Sequence, residues 1–169
     1  MIPIPELNAN SNENFIAVLG GIYEHSPWVA QRVMPQRPFP DLENLALAMC
    51  AAVDAATDAE KLALIRAHPD LAGKLARAGG LTDESTREQA GLGLDRLSDA
   101  EYLLFSESNR RYQERFGFPF IICARKTTKQ GVLDAFEKRL ENSCELEISE
   151  ALRQIHQIAR LRLGDLVEG

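Results

Sequence analysis

Apolar residues recur with a period near 3.6 along most of this chain, and start and stop signals bound each run, so the sequence reads as a succession of amphipathic helices. Phe15, Val18, Leu19, Ile22 and Tyr23 follow the i, i+3, i+4, i+7, i+8 spacing that lines one helix face. Ser26-Pro27 places an N-cap before a proline at the first helical position. This opens a short helix that Pro35 closes, with Pro38 and Pro40 prolonging the break. Asp41 caps a third helix whose apolar stripe is Leu42, Leu45, Ala46, Met49, Ala52 and Val53, and Thr57 with Glu60 forms a capping-box pattern for a fourth. That helix runs into His68-Pro69, and proline disfavours the α conformation before it, so His68 is expected at or just beyond the helix end with its ring free to face a cleft.

Asp70 is placed to cap a short helix to Ala78, which Gly79-Gly80 ends before a restart at Leu81-Thr82. A helix is predicted from Ser85 to Leu94. Ser98 and Glu101 form another capping box ahead of a long helix with Tyr102, Phe105, Tyr112 and Phe116 on one face and Gly117 as its stop. The run from Phe118 to Ala124 contains Pro119 and is too short for a full helix, so it reads as a buried extended or irregular segment. Thr127 with Gln130 caps a helix carrying Val132, Leu133, Phe136 and Leu140, and a last helix runs through Ile148, Leu152, Ile155, Ala159 and Leu166. No period-two alternation extends over several segments, so the fold class is all-α. The expected architecture is a single compact domain over residues 1–169, of about eight helices with one short extended apolar segment near residues 118–124.

Composition limits the function classes. The 169 residues suffice to bury roughly 70% of the unfolded surface in one core. A net charge of −6 weakens a nucleic-acid reading, since phosphate binding needs a basic footprint. Cys50, Cys123 and Cys144 are odd in number and widely spaced, which suggests neither a disulfide framework nor a thiolate zinc site and fits a reducing cytoplasm. No stretch approaches the ~20 apolar residues of a membrane helix, and neither end carries a recognised address signal. P-loop, GxSxG and dinucleotide glycine patterns are absent, as is a clustered metal-ligand set, so no metal or cofactor is expected. Cofactor-independent proton chemistry survives this cull best.

Of the three histidines, His25 lies near a helix end and His156 inside the last helix, while His68 alone stands in a suggestive context, Arg66-Ala67-His68-Pro69-Asp70. An imidazole there can exchange a proton near neutrality; the blander reading is a helix-terminal ring serving the last carbonyls. Ser85, Glu88 and Gln89 place a hydroxyl, a carboxylate and an amide within about one helical turn, able to hold an amide-rich ligand. A capping box with Ser85 as N-cap and Glu88 at the third position explains the same letters. Arg125, Lys126 and Lys129 form a basic cluster whose default place is a solvated surface. Arg160 and Arg162 lie two apart and point in different directions, so at most one faces a given pocket.

Three motifs in order, His68-Pro69-Asp70-Leu71-Ala72, Ser85-Thr86-Arg87-Glu88-Gln89-Ala90-Gly91-Leu92 and Phe116-Gly117-Phe118-Pro119-Phe120-Ile121-Ile122, resemble the 2-oxo-4-hydroxy-4-carboxy-5-ureidoimidazoline (OHCU) decarboxylases of urate degradation. The resemblance runs from about Phe15 to Val167. It implies an all-α, cofactor-free, usually dimeric enzyme that converts OHCU to (S)-allantoin. It implies that His68 is the catalytic histidine with Pro69 beside it, and that Ser85, Glu88 and Gln89 form a ligand-contacting turn in which Glu88 is the essential carboxylate, orienting the substrate and setting the histidine's protonation state. The run Phe120-Ile121-Ile122-Cys123-Ala124 would present backbone groups to the substrate ring, and Arg162 would meet an anionic oxygen, with Arg160 two positions away as the competing alignment. Two alternatives stay open from the residues: a ureide or amide hydrolase using His/Glu acid–base chemistry, and a non-catalytic helical binding module in which these side chains do not converge.

Overall fold

The computed structural model describes residues 1–72 and 81–168, and the chain divides into two compact units, residues 1–67 with 156–169, and residues 68–155. The first unit opens on a two-residue strand β1 (Ile2–Pro3) and the helices α1 (Ile4–Ala9), α2 (Asn12–Leu19), α3 (Trp28–Val33), α4 (Leu42–Asp54) and α5 (Asp58–Arg66). The second holds α6 (Asp83–Gly91), α7 (Asp99–Phe116), α8 (Lys129–Arg139) and most of α9 (Cys144–Leu166). The end of α9 belongs to the first unit together with β2 (Val167–Glu168), which pairs in parallel with β1. That pairing joins the two ends of the sequence and carries no local signal. Among the described residues there are thus nine α-helices and one two-stranded ladder, an all-α chain as the periodicity predicts.

Capping chemistry decides most boundaries. Asp41 accepts from the Asn44 amide at 2.8 Å, and Thr57–Glu60 and Ser98–Glu101 form complete capping boxes. Gly117 ends α7 at φ 75°, a left-handed conformation that glycine adopts without a Cβ clash. Three starts differ from the sequence expectation. Ser26 does not cap α3, whose N-cap is Pro27 without a side-chain bond. α6 is capped by Thr82, whose hydroxyl accepts from the Ser85 amide at 3.3 Å, so Ser85 lies inside the helix. α8 is capped by Thr128, whose hydroxyl accepts from the Gly131 amide at 3.1 Å, and not by Thr127. α2 also stops at Leu19, leaving Ile22 and Tyr23 to bury themselves from the following turns. The expected helix from Asp70 to Ala78 and the Gly79-Gly80 break lie outside the described residues beyond Ala72.

In the first unit α3 packs on α4, and Leu7, Phe15, Leu19, Val29, Leu45, Met49, Val53 and Leu64 are fully buried. Each such side chain contributes about 1.5–3 kcal/mol by leaving water. The second unit is built on rings: Phe120 stacks on Phe136 with centroids 3.8 Å apart, and Tyr112 meets Phe116, Phe118 and Phe120 at 4.7, 5.9 and 5.1 Å. The segment Pro119–Cys123 crosses this cluster without regular structure. Its buried backbone groups need other partners, and side chains supply them. Arg139 Nη1 donates to the Ile121 carbonyl at 2.6 Å, and the Cys123 amide donates to Gln154 Oε1 at 2.8 Å. Arg139 itself lies over the Phe120 ring at 4.3 Å and pairs with Glu147, which also accepts from the Tyr112 hydroxyl and from Asn142.

Candidate active site

His68 begins the second unit one residue after Ala67, the C-cap of α5, and is 8% exposed. The proline that follows it prevents continuation of the helix. The segment behind it is held by side-chain amides from two helices. Gln89 on α6 accepts from the Ala72 amide at 2.9 Å and donates to the Asp70 carbonyl at 3.4 Å. From α7, Asn109 Nδ2 donates to the Leu71 carbonyl at 2.8 Å and Gln113 Nε2 donates to the Asp70 carboxylate at 2.5 Å. Ala72 takes φ 53°, a backbone conformation that its own amide bond and its two tethered neighbours, Asp70 and Leu71, can hold in place. Burial pushes the Asp70 carboxyl above its usual range, and the Gln113 bond offsets part of that rise.

α6 carries its polar groups on a face that the Thr82 cap fixes. Ser85 and Gln89, one turn apart, are both buried, and Glu88 between them is half-buried. This helix packs on the short turn Ala124–Lys126. Burial holds the Cys123 thiol above its ordinary range; Lys126 pulls it down and the Glu88 carboxylate pushes it up, which puts Glu88 within electrostatic reach of the 120–124 run. Three stretches distant in sequence, 68–72, 85–89 and 120–126, are therefore assembled in one unit through α6.

Several groups have defined engagements. Gln89 acts on the chain itself, clamping both sides of Leu71. Within the 120–124 run, the Phe120 ring belongs to the aromatic core, and the Ile121 carbonyl and Cys123 amide are occupied by Arg139 and Gln154. Ile122 and Pro69 are half-buried, and Ala124 is buried.

The two candidate arginines, Arg160 and Arg162, both lie in the first unit and differ in their surroundings. Arg160 is exposed and pairs with Glu43, whereas Arg162 is buried and its Nη1 meets Glu24 Oε2 at 2.7 Å, with the two side chains 4% and 1% exposed. Glu24 escaped the sequence reading because its partner lies 138 positions away. Asn109, Gln113, Arg139 and Gln154 were missed for a similar reason: each sits on a helix as an ordinary polar letter, and only the non-helical backbone it serves reveals its part.

A family model described as OHCU decarboxylase matches residues 8–164. The chain is 39% identical over 164 residues to the 2-oxo-4-hydroxy-4-carboxy-5-ureidoimidazoline decarboxylase of Haloferax volcanii, covering 97% of this chain and 95% of that protein. It is 40% identical over 167 residues to the uric acid degradation bifunctional protein of Bacillus subtilis, covering 99% of this chain and 33% of that one. Among solved structures, an (S)-allantoin synthase superposes with TM-score 0.79 at 32% identity, over 98% of this chain and 54% of that one, so the chain spans about half of that protein's length. An OHCU decarboxylase crystallised in the presence of (S)-allantoin, at 22% identity and TM-score 0.70 over 93% of this chain and 98% of that one, shares the fold.

Proposed function

This chain belongs to the OHCU decarboxylase family, and on that premise we propose that it is a carboxy-lyase converting 2-oxo-4-hydroxy-4-carboxy-5-ureidoimidazoline to (S)-allantoin without a cofactor. The observation that carries the reading is the assembly of the 68–72, 85–89 and 120–126 stretches in one unit of a chain 39% identical to such a decarboxylase over nearly its full length. Loss of carbon dioxide leaves an electron pair on the ring carbon. Adjacent carbonyl and imine groups of the substrate delocalise it, so the protein's tasks are orientation, charge stabilisation and delivery of one proton to one face. His68 is the proton-transfer group. Glu88 orients the substrate against it, Ser85 and the backbone groups of Phe120 to Ala124 that Arg139 and Gln154 leave available hold the ureido and ring amides, and Pro69 shapes the wall beside the imidazole. Gln89 keeps the 70–72 turn in register and directs its remaining donor capacity to the substrate. Arg162, whose guanidinium is held by Glu24 in the first unit, is the residue that the resemblance assigns to an anionic oxygen of the substrate.

The test is circular dichroism on freshly generated OHCU. Rapid growth of the (S)-allantoin signal with release of carbon dioxide is expected; racemic allantoin at the uncatalysed rate overturns the reading, and release of ammonia or urea instead assigns a hydrolase. We also place the protein in the cytoplasm, since its cysteines are free thiols suited to a reducing compartment, and as a homodimer. Light scattering coupled to size exclusion reads the dimer directly, and a monomer mass overturns it. Among the described residues no helix is long and apolar enough to cross a membrane.

A further inference from the structure

In the first unit, facing stripes on α4 and on the end of α9 form a polar seam that the decarboxylation chemistry does not use. α4 contributes Glu43, Cys50 and Asp54, spaced i, i+7, i+11 and so on one side of the helix, and α9 contributes His156 and Arg160, one turn apart. The pairs interlock: Arg160 with Glu43, and His156 Nε2 with Asp54 Oδ1 at 3.1 Å. Tyr23 closes the seam, its hydroxyl lying 3.0 Å from His156 Nδ1 and donating to Cys50 Sγ at 3.7 Å. Five titratable or charged side chains, Tyr23, Glu43, Asp54, His156 and Arg160, thus line the seam around the thiol.

The geometry assigns proton positions. With the Tyr23 proton on sulfur, its oxygen is an acceptor, and Nδ1–H of His156 fills it; the other ring nitrogen faces a carboxylate, so it too is a donor. Both ring nitrogens then carry protons, and the ring is an imidazolium with a thiolate at one end of the chain of bonds and Asp54 at the other. We propose that Cys50, paired with His156 through Tyr23 and braced by Asp54, is a reactive thiol site that hydroperoxides oxidise to a sulfenic acid. The neighbouring groups agree in direction. Burial pushes the Cys50 thiol up, but the hydrogen bond and charge of His156 and the Tyr23 hydroxyl outweigh it and hold it below the ordinary cysteine value. Burial likewise pushes His156 down, and Cys50 and Asp54 more than offset this. Tyr23, driven upward by burial, stays a neutral donor.

The reaction balances within the site. The Cys50 sulfur attacks the terminal oxygen of the peroxide, an S–O bond forms, and the O–O bond breaks with its electron pair leaving on the second oxygen. That oxygen takes the Nδ1 proton of His156, relayed by the Tyr23 hydroxyl, and departs as water or alcohol. Sulfur is oxidised by two electrons and the peroxide reduced by two, with neutral His156 left beside the sulfenic acid. Cys50 is half-buried, so a small peroxide has access that a bulky disulfide lacks; Cys123 is buried in the other unit, and Cys144 is exposed without such partners.

The test follows Cys50 by peptide-resolved mass spectrometry in a Cys144→Ser background. Iodoacetamide alkylation is measured from pH 5.5 to 9, and one equivalent of hydrogen peroxide is added with dimedone as the sulfenic-acid trap. At pH 6.5 Cys50 is expected to alkylate at least about tenfold faster than in His156→Gln, with an inflection below the ordinary cysteine value of about 8.5. The dimedone adduct should fall by a similar factor in that variant. Asp54→Asn, at an exposed carboxylate, should move both readouts partway and serves if His156→Gln fails to fold. An ordinary inflection in the wild-type chain, or Cys50 rates unchanged by His156→Gln or Asp54→Asn, overturns the proposal, as does the absence of an adduct on Cys50 in folded protein. None of these readouts depends on the decarboxylase activity, so either reading can fail alone.

Discussion

His68 is buried between a helix end and a proline, with the backbone just beyond it tethered by Gln89 and Asn109 and the Asp70 carboxylate by Gln113, so its position depends on α6 and α7 as much as on its own neighbours in sequence. A proton-transfer residue held this way contributes about 10²–10⁴ in rate. His68→Asn keeps the side chain polar and of similar size. It should lower kcat by at least 10² while far-ultraviolet circular dichroism stays that of the wild type; turnover within a few-fold of wild type would remove His68 from the mechanism. Arg162 and Glu24 illustrate the opposite dependence. Their side chains are almost completely withdrawn from water, and a buried ion pair that loses one partner leaves an uncompensated charge costing about 3–5 kcal/mol. Glu24→Gln should therefore reduce stability by about that amount in urea denaturation. A loss below about 1 kcal/mol would mean that the pair is solvated and the guanidinium needs no fixed counter-ion.

At the scale of elements, caps were legible and long-range partners were not. Asp41, Thr57–Glu60, Ser98–Glu101 and Gly117 mark helix ends through bonds spanning three or four residues, which a sequence displays directly. Two of the three displaced caps show the limit of that signal. Thr82 and Ser85 both have the chemistry of an N-cap, as do Thr127 and Thr128, and the choice is made by where the incoming chain turns. For α6 the difference matters to function, because a capping Ser85 would be tied to its own helix, whereas an internal one, one turn from Gln89, can serve the site. The His68, Ser85 and Phe120 motifs were legible as words, but the clamps that assemble them, and the β1–β2 ladder, are pairings across tens of residues with no local mark. The contrast gives a paired prediction. Thr82→Ala removes the cap and should cost about 1 kcal/mol of stability with little change in the KM of the folded enzyme. Ser85→Ala should instead raise KM without a cap-sized loss. The reverse pattern, read by thermal denaturation and initial rates, would restore Ser85 to the capping role.

Over the whole molecule, the formal charge of −6 gives no general attraction for an anionic ureide, so capture of such a substrate must depend on groups within the ~10 Å screening length. The same carboxylates make the fold sensitive to acid. Lys129 and the Ser98 amide and hydroxyl hold Glu101 down to about 2 from 4.5, and Thr57 with Arg32 holds Glu60 below its usual range. The Asn44 amide does the same for Asp41, and the first turn of α2 with Ser11 for Glu13. A carboxylate whose folded pKa is depressed adds stability that is fully present above its unfolded value and lost as pH falls through the folded one. Glu13, Glu60 and Glu101 sit in first turns of helices and Asp41 is an N-cap, so the charged form also meets the favourable end of a helix dipole. Asp70, raised by burial, works in the opposite sense and gains from protonation, but it is one group against these four and against Glu107 and Glu150, which Arg110 and Arg153 also hold down. Below pH 5 His156 is protonated in folded and unfolded chains alike and contributes no slope. With the carboxylates neutralised, 19 Lys and Arg and three His stand nearly unopposed, adding self-repulsion to the lost caps. Urea midpoints should therefore fall steadily from about pH 5 to pH 2, and Glu101→Gln, which removes the most displaced of these groups, should start lower at pH 6 and decline less steeply. A midpoint flat across that range, or a Glu101→Gln chain that parallels the wild type, would show that the caps titrate as free carboxylates and that acid acts on this fold elsewhere.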